Sequence, residues 1–208
     1  MKIKHNENRK VNAFTLIEMI GVLAVIAILA ALLIPKIFEA INNARINNAV
    51  VSYNTVKTAV MDHYAKFGSL TSSNGVTLTL PEQAYDKVLL TEAFLDKPFI
   101  VKIGDGINSP TNTHVEAITG VSAATAVTAA NAGYDLDGSG ATVNDVAAPT
   151  GVILQTVITG VTEADARDVS LRLDGEALSS AVGADDLKGR VKYASATPTT
   201  VYIYITHR

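Results

Sequence analysis

The sequence predicts an α+β protein in which a long N-terminal α-helix packs, through its second half, on a mainly antiparallel β-sheet. Two observations support this prediction. A long apolar run near the N-terminus passes into an apolar stripe of helical spacing that reaches Phe67. After Gly68 the pattern changes to short segments of alternating polarity separated by turn residues. Helical and strand patterns that are segregated along a chain in this way are typical of the α+β class.

Composition limits the chemistry available to this chain of 208 residues. It contains no Cys and no Trp, which excludes disulfides, a thiolate nucleophile and a Cys-based zinc site. No Gly-rich phosphate loop, no G-x-S-x-G and no H-x-x-x-H spacing occurs among its residues. We therefore expect a protein that is not an enzyme.

Charge is distributed unevenly along the chain. Residues 1–13 contain four Lys or Arg against one Glu, or 4 − 1 = +3, and the remainder therefore carries −3 − 3 = −6. A basic leader before an apolar run predicts that the leader stays in the cytoplasm. The acidic remainder argues against nucleic-acid binding through bulk charge.

The first element is an apolar run from Phe14 to Ile34, which is 21 residues long. As a helix it measures roughly 31 Å, close to the ~30 Å hydrocarbon core of a bilayer. A membrane anchor is one interpretation of this run. A secretory signal peptide is another, but the run is longer than the roughly 7–15 apolar residues of such a signal.

Glu18 is the only charged residue in this run. With Thr15 it forms a T-x-x-E capping box, which is one structural explanation for an acid at the start of a helix. A carboxylate in a bilayer is costly, however, and is expected to have a partner. From these residues alone, both explanations stay open.

The basic leader, the small Ala13 and the following sequence FTLIEMIGVLAVIAILAALLIPKI resemble the class III signal of type IV pilins and type II secretion pseudopilins. The resemblance covers about residues 9–37, with a looser match along the helix to Gly68. It implies that prepilin peptidase cuts between Ala13 and Phe14 and N-methylates Phe14. It also implies that Glu18 pairs with the N-terminal amine of a neighbouring subunit. The residue before the cut is usually Gly in this family, so Ala13 predicts slower processing.

The resemblance implies a subunit of a type IV pilus or of a type II secretion pseudopilus, with a pilin fold. The expected partners are identical and related subunits, the peptidase, membrane lipid and an inner-membrane platform driven by a cytoplasmic ATPase. The expected location is the inner membrane, and later a periplasmic pseudopilus or a surface pilus. The alternative is a single-pass anchored extracytoplasmic binding domain that does not polymerise. We expect four regions: a leader (1–13), a membrane and filament-core helix (14–35), its amphipathic continuation (36–68) and a globular head (69–208).

Pro35 has no N–H, so we expect a kink or local melting of the helix there, at a position that also matters for assembly. Beyond it, one apolar stripe recurs at spacings of three and four residues: Ile46, Ala49, Tyr53, Val56, Val60, Tyr64 and Phe67. His63 is expected on the surface, and INNARINNAV is expected to be solvated surface or a subunit contact. Gly68 is expected to stop the helix.

The head is predicted to contain a strand within VTLTL, a short helix within residues 81–98 and a helix in TEADARDVSLRL capped by Thr162. Five further strands are predicted from alternation and β-branched residues: 99–103, 113–118, 152–157, 189–194 and 201–206.

Two Asp-rich stretches are candidate calcium sites, because calcium prefers oxygen ligands. The first resembles the start of a D-x-D-x-S-G calcium loop without its final Glu, and offers Asp135, Asp137, Ser139 and Asp145. The second offers Asp174, Asp185 and Asp186, and is similar to an Asp-rich loop found in many pilins and pseudopilins, some of which bind calcium. The alternative explanation is that Asp and Gly simply form turns here.

Overall fold

The computed structural model describes residues 14–73, 76–79, 82, 84–109, 111–119, 133–139 and 151–208. Its first element is the 52-residue helix α1, Leu16–Phe67. Gly68 follows in the left-handed conformation, with φ +66°, and its N–H donates to the carbonyl of Tyr64 at 2.7 Å. The predicted helix and its glycine stop are confirmed.

The helical conformation of α1 continues through Pro35, so the expected melting is absent. The missing N–H of Pro35 removes one hydrogen bond, and the remaining bonds of a long helix are sufficient to keep the conformation.

After α1, the short strands β1 (Ser72–Ser73) and β2 (Val76–Thr77) pair antiparallel. Helix α2, Tyr85–Thr91, lies within the predicted helical stretch. The predicted strand at 99–103 is wrong, because no β-strand forms there, although Phe99, Val101 and Ile103 are buried. Side chains take the backbone hydrogen bonds that a strand would use: the Phe99 N–H donates to Asp86 at 3.2 Å, and Asn108 donates to the Phe99 carbonyl at 2.9 Å.

The main sheet has four antiparallel strands in the order β3-β4-β6-β5. They are β3 (His114–Thr119), β4 (Val152–Val161), β5 (Val191–Lys192) and β6 (Thr199–His207). Helix α3, Glu163–Leu173, precedes β5 and is capped by Thr162, whose hydroxyl accepts from the Asp165 N–H at 3.2 Å. Strand β5 is shorter and β4 longer than predicted. The predicted α+β class is confirmed, and the architecture is pilin-like.

One face of the sheet packs with the second half of α1 in the main core. Strand β6 contributes alternate residues Val201, Ile203 and Ile205, as a half-buried strand should. From α1 the core takes Ile46, Ala49, Tyr53, Val56, Ala59 and Val60. The predicted stripe is thus confirmed up to Val60, whereas Tyr64 is exposed and His63 is buried instead.

The chain divides into two compact units between Asn42 and Asn43. In the second unit, α3 is tied to α1 by Arg172, which donates to the Asn43 side-chain oxygen at 2.7 Å and also to Asn47. Arg45 donates to the carbonyl of Lys102 at 2.8 Å. Several polar side chains of INNARINNAV therefore make contacts within the subunit that the sequence did not predict.

Candidate functional site

The first turn of α1 is closed by a reciprocal capping box. The Thr15 backbone N–H and the Thr15 hydroxyl both donate to Glu18 Oε2, at 2.8 and 2.9 Å. The Glu18 N–H donates back to the Thr15 hydroxyl at 3.3 Å. The capping function that the sequence allows for Glu18 is therefore present in the single subunit. Both donors bond the same carboxylate oxygen, and the Glu18 side chain lies at the surface.

The apolar residues on both sides of Glu18 are exposed in the single subunit. Phe14, which starts the described chain, is 79% exposed, and Leu16 and Ile17 are each 77% exposed. Ala13 and the rest of the leader lie outside the described residues. Within the described residues, α1 is the one helix that is long and apolar enough to cross a membrane, a property that signal sequences share. Its apolar surface requires a cover of lipid or protein.

Just past Pro35, the helix carries the ion pair of Lys36 with Glu39 and further exposed apolar residues. Lys36 Nζ lies 2.9 Å from Glu39 Oε2, and both side chains are solvated. Ile37, Phe38 and Ile41 are 53%, 67% and 51% exposed. The spacing of these three residues places them on one helical face.

The first Asp-rich stretch is described only up to Ser139, and Asp145 lies outside the described residues. Asp137 accepts from the Ser139 N–H at 2.8 Å, and this bond lowers the pKa of the Asp137 carboxyl. The Asp135 carbonyl accepts from the Gly189 N–H at 2.7 Å. Asp135 itself is buried, at 2% exposure, and Asp137 is exposed. Calcium binding by this stretch stays a prediction.

In the second Asp-rich stretch, each carboxylate bonds to donors of the protein. Asp174 accepts from the Arg190 side chain at 3.0 Å and from the N–H groups of Arg190 and Val191 at 2.9 and 2.8 Å. Asp185 accepts from the Ser195 N–H at 2.7 Å. This geometry fits the turn-forming role of Asp, and a guanidinium beside Asp174 does not suit a cation.

Asp186 is the fully buried carboxylate of this stretch. It accepts from the hydroxyls of Ser170 and Ser180 at 2.7 and 3.1 Å, while burial raises its pKa. Across the described ranges, no group of three or more His, Cys, Asp or Glu is placed to hold a metal ion.

The expectation of a surface position for His63 is wrong. His63 is fully buried, and its Nε2 lies 3.0 Å from Glu92 Oε2. Its Nδ1 lies 3.3 Å from the Tyr85 hydroxyl, and the rings of Phe67 and Phe94 pack against it at centroid distances of 4.9 and 5.5 Å. The spacing already contained the signal, since His63 follows Val60 by three residues and precedes Phe67 by four.

A second buried polar network lies on the opposite face of the main sheet. Tyr134 donates to Gln155 at 2.5 Å, and Gln155 donates to Glu116 at 2.6 Å. The Lys192 ammonium lies 4.2 Å from the centre of the Tyr134 ring. Burial lowers the pKa of Lys192 to about 8, although the charge of Glu116 acts in the opposite direction. Because this network is closed to solvent, we assign it a structural role.

Comparison with known proteins identifies one family model on the chain. Residues 8–34 match the prokaryotic N-terminal methylation motif, which is the class III signal peptide motif of type IV pilins and pseudopilins. No curated protein and no solved structure matches the chain significantly. The matched residues include Ala13, Phe14 and Glu18, so the predicted resemblance of the N-terminal segment is confirmed. An apolar helix with this motif is consistent with a single-pass inner-membrane anchor.

Proposed function

We propose that this chain is the precursor of a non-enzymatic, pilin-like structural subunit. Prepilin peptidase cuts it between Ala13 and Phe14 and methylates the new amino terminus. The mature chain then polymerises through its N-terminal helix into a filament. The observation that carries this proposal is the match of residues 8–34 to the methylation motif, with Glu18 as the single acid in the apolar run from Phe14 to Ile34.

Electrostatics explain why the acid matters in a filament. The free amine of one Phe14 and the Glu18 carboxylate of the next subunit attract by roughly 4 kcal/mol at 4 Å and an effective dielectric near 20. Desolvation of both charges makes this value an upper limit, so the pair sets the register between subunits more than it adds affinity. The capping bonds of Thr15 hold one carboxylate oxygen, and the other is then available to this amine.

The subunit resides in the inner membrane before assembly, and an inner-membrane platform with a cytoplasmic ATPase drives its incorporation. The filament is a periplasmic secretion pseudopilus or a surface pilus. The absence of Cys argues against pilins that close a C-terminal loop with a disulfide, while Asp-rich loops occur in both classes. We therefore propose the shared function, filament assembly, without a preference between the two.

Substitution of Glu18 tests the proposal in the full chain. Glu18→Ala removes the charge and the cap, whereas Glu18→Gln keeps an oxygen that accepts from Thr15 and removes only the charge. Both variants are expected to insert into the membrane and to form no filaments. The matched control is Glu39→Ala, which removes an exposed acid farther along the same helix and should leave assembly intact. Electron microscopy of filaments from lysed cells, which recovers periplasmic as well as surface filaments, and carbonate extraction of membranes provide the two measurements.

Normal filaments from Glu18→Ala, or no filaments from the unmodified chain, would instead support the anchored binding domain. If Glu18→Gln assembles and Glu18→Ala does not, the cap is the required feature and the proposed charge pair is wrong.

A further inference from the structure

Asp86, in the first turn of α2, is a buried carboxylate with one unused oxygen. The residue is 1% exposed. Its Oδ2 accepts from the Phe99 N–H at 3.2 Å and from the Asn108 side-chain amide at 2.7 Å, whereas its Oδ1 accepts from no described residue. None of the ion pairs in the described ranges includes Asp86. A buried carboxylate without a cationic partner is costly, so this position requires a positive charge or a further donor.

The surroundings of Asp86 are rich in oxygen atoms and poor in hydrogen-bond donors. The Asn108 Nδ2 lies 2.9 Å from the Phe99 carbonyl oxygen and 3.3 Å from the Thr113 carbonyl oxygen, in addition to its bond to Asp86. An amide nitrogen carries only two hydrogens, so these three oxygens compete for them. Thr113 is fully buried, and its hydroxyl has no hydrogen-bond partner among the residues that the structure describes. Oxygens from three segments of the chain thus converge on one amide.

The chemistry of these ligands identifies the class of ion. Carboxylate, amide, hydroxyl and carbonyl oxygens bind hard cations, whereas transition metals favour the nitrogen and sulfur ligands that this set lacks. Calcium accepts irregular sets of about six to eight oxygens, including backbone carbonyls and waters, while magnesium requires a near-ideal octahedron and dehydrates reluctantly. A buried, irregular set therefore favours calcium. A single carboxylate predicts weak binding, in the range of about 10⁻⁴–10⁻³ M that extracellular calcium modules show.

We propose a calcium site in the head, formed by the side chains of Asp86, Asn108 and Thr113 together with neighbouring backbone carbonyls. The site is separate from both Asp-rich stretches and does not depend on filament assembly. When the ion binds, the Asn108 amide turns its oxygen towards it, because the N–H groups of this amide now point at the oxygens that the ion takes. The ion then ties α2 to the segment before β3, whose backbone at 99–103 is held by side chains and not by a strand ladder.

Calcium titration of the full chain in detergent tests the site, at a constant concentration of sodium chloride. The two readouts are the midpoint of thermal unfolding and the luminescence of terbium, a calcium substitute that tyrosine sensitises in a chain without Trp. Asp86→Asn keeps the size of the side chain and an acceptor oxygen but removes the charge. Asp96→Asn is the matched control, because Asp96 is an exposed acid that follows the same helix. Asp137→Asn reports on the first Asp-rich stretch.

We expect calcium to raise the unfolding midpoint of the natural chain, of Asp96→Asn and of Asp137→Asn. In Asp86→Asn the rise should be lost and the affinity for terbium should fall by about tenfold or more, because a charged ligand is removed. An unchanged response of Asp86→Asn would overturn the proposal. A natural chain that does not respond to about 10 mM calcium, well above the expected dissociation constant, would overturn it as well, since water alone would then serve Oδ1.

Thr113→Val is the second variant, in case Asp86→Asn does not fold. It removes a buried hydroxyl that bonds to no described residue, so the fold is expected to persist. A weaker affinity for calcium than that of the natural chain supports the site, because the hydroxyl is one of its proposed ligands. An affinity equal to that of the natural chain overturns it.

Discussion

At the scale of single residues, Glu18 illustrates how one side chain serves two states of a protein. In the single subunit its carboxylate caps α1 through Thr15, with bonds of 2.8 and 2.9 Å. The proposed filament adds an amine from the next subunit. Before assembly, the cap gives the carboxylate hydrogen-bond partners in the membrane. A carboxylate without such partners would be costly there. The sequence predicted both partners, because the T-x-x-E spacing and the signal motif are local patterns, and the structure confirms the Thr15 cap.

His63 and Glu92 form the buried pair that local patterns did not reveal. Their contact of 3.0 Å joins α1 to the residue after α2, and both side chains are almost completely buried. His63→Leu is expected to destabilise the fold by about 3–5 kcal/mol, because it leaves the Glu92 carboxylate buried without this partner. The double variant His63→Leu/Glu92→Leu is expected to recover most of that loss. Urea denaturation of the full chain in detergent, followed by the near-UV circular dichroism of the tyrosines, provides the measurement.

The recovery in the double variant is the decisive comparison. If the double variant is less stable than His63→Leu, then Glu92 contributes through contacts other than His63 and the pair is not the stabilising unit. The matched single variant Glu92→Leu separates the two contributions.

At the scale of elements, the predictable ones are those whose signals are contained in their own residues. Helix α1 has an N-terminal cap, a long stripe and a glycine stop, and α3 has the Thr162 cap. The segment 99–103 alternates like a strand and buries Phe99, Val101 and Ile103, yet its backbone bonds to the distant side chains of Asp86, Asn108 and Arg45. Alternation of apolar and polar residues indicates which side chains are buried. Whether the backbone pairs with another strand depends on partners elsewhere in the chain. Calcium binding by the two Asp-rich stretches stays a prediction, since residue type does not determine which donors fold back on each carboxylate.

The network on the opposite face of the sheet predicts a pH dependence of stability. Burial lowers the pKa of Lys192 to about 8 from its ordinary 10.5. As the pH rises, the folded state therefore loses the Lys192 proton at a lower pH than the unfolded state does. Between pH 8 and 10.5 the unfolded state holds more protons, and stability therefore rises with pH, by up to about 1.4 kcal/mol per pH unit. Above about pH 10 the trend reverses, because burial raises the pKa of Tyr53 to about 12, and the unfolded tyrosine ionises first.

Lys192→Met is the control for this dependence. Urea titrations at pH 8 and 9.5 should show a gain in stability for the natural chain and a smaller gain, or none, for the variant. Equal gains in both proteins would assign the pH dependence to other groups.

At the scale of the whole molecule, the chain consists of two units, of which one has its own core and the other has an apolar surface that requires a cover. The unit from Asn43 onwards has its own core and its own hydrogen-bonded loops. The unit before it exposes an apolar helix in the single subunit, which lipid and then neighbouring subunits are proposed to cover. Composition predicted the anchor, and the signal motif predicted the filament. The surface past Pro35 became evident only when the exposed residues could be placed on one continuous helix.

Mass spectrometry of the native amino terminus determines whether the chain is processed as a filament subunit. We expect a mature chain that begins at N-methylated Phe14, with a fraction of uncut precursor if Ala13 slows the peptidase. A chain that begins only at Met1, or one that is cut near Pro35, would contradict it.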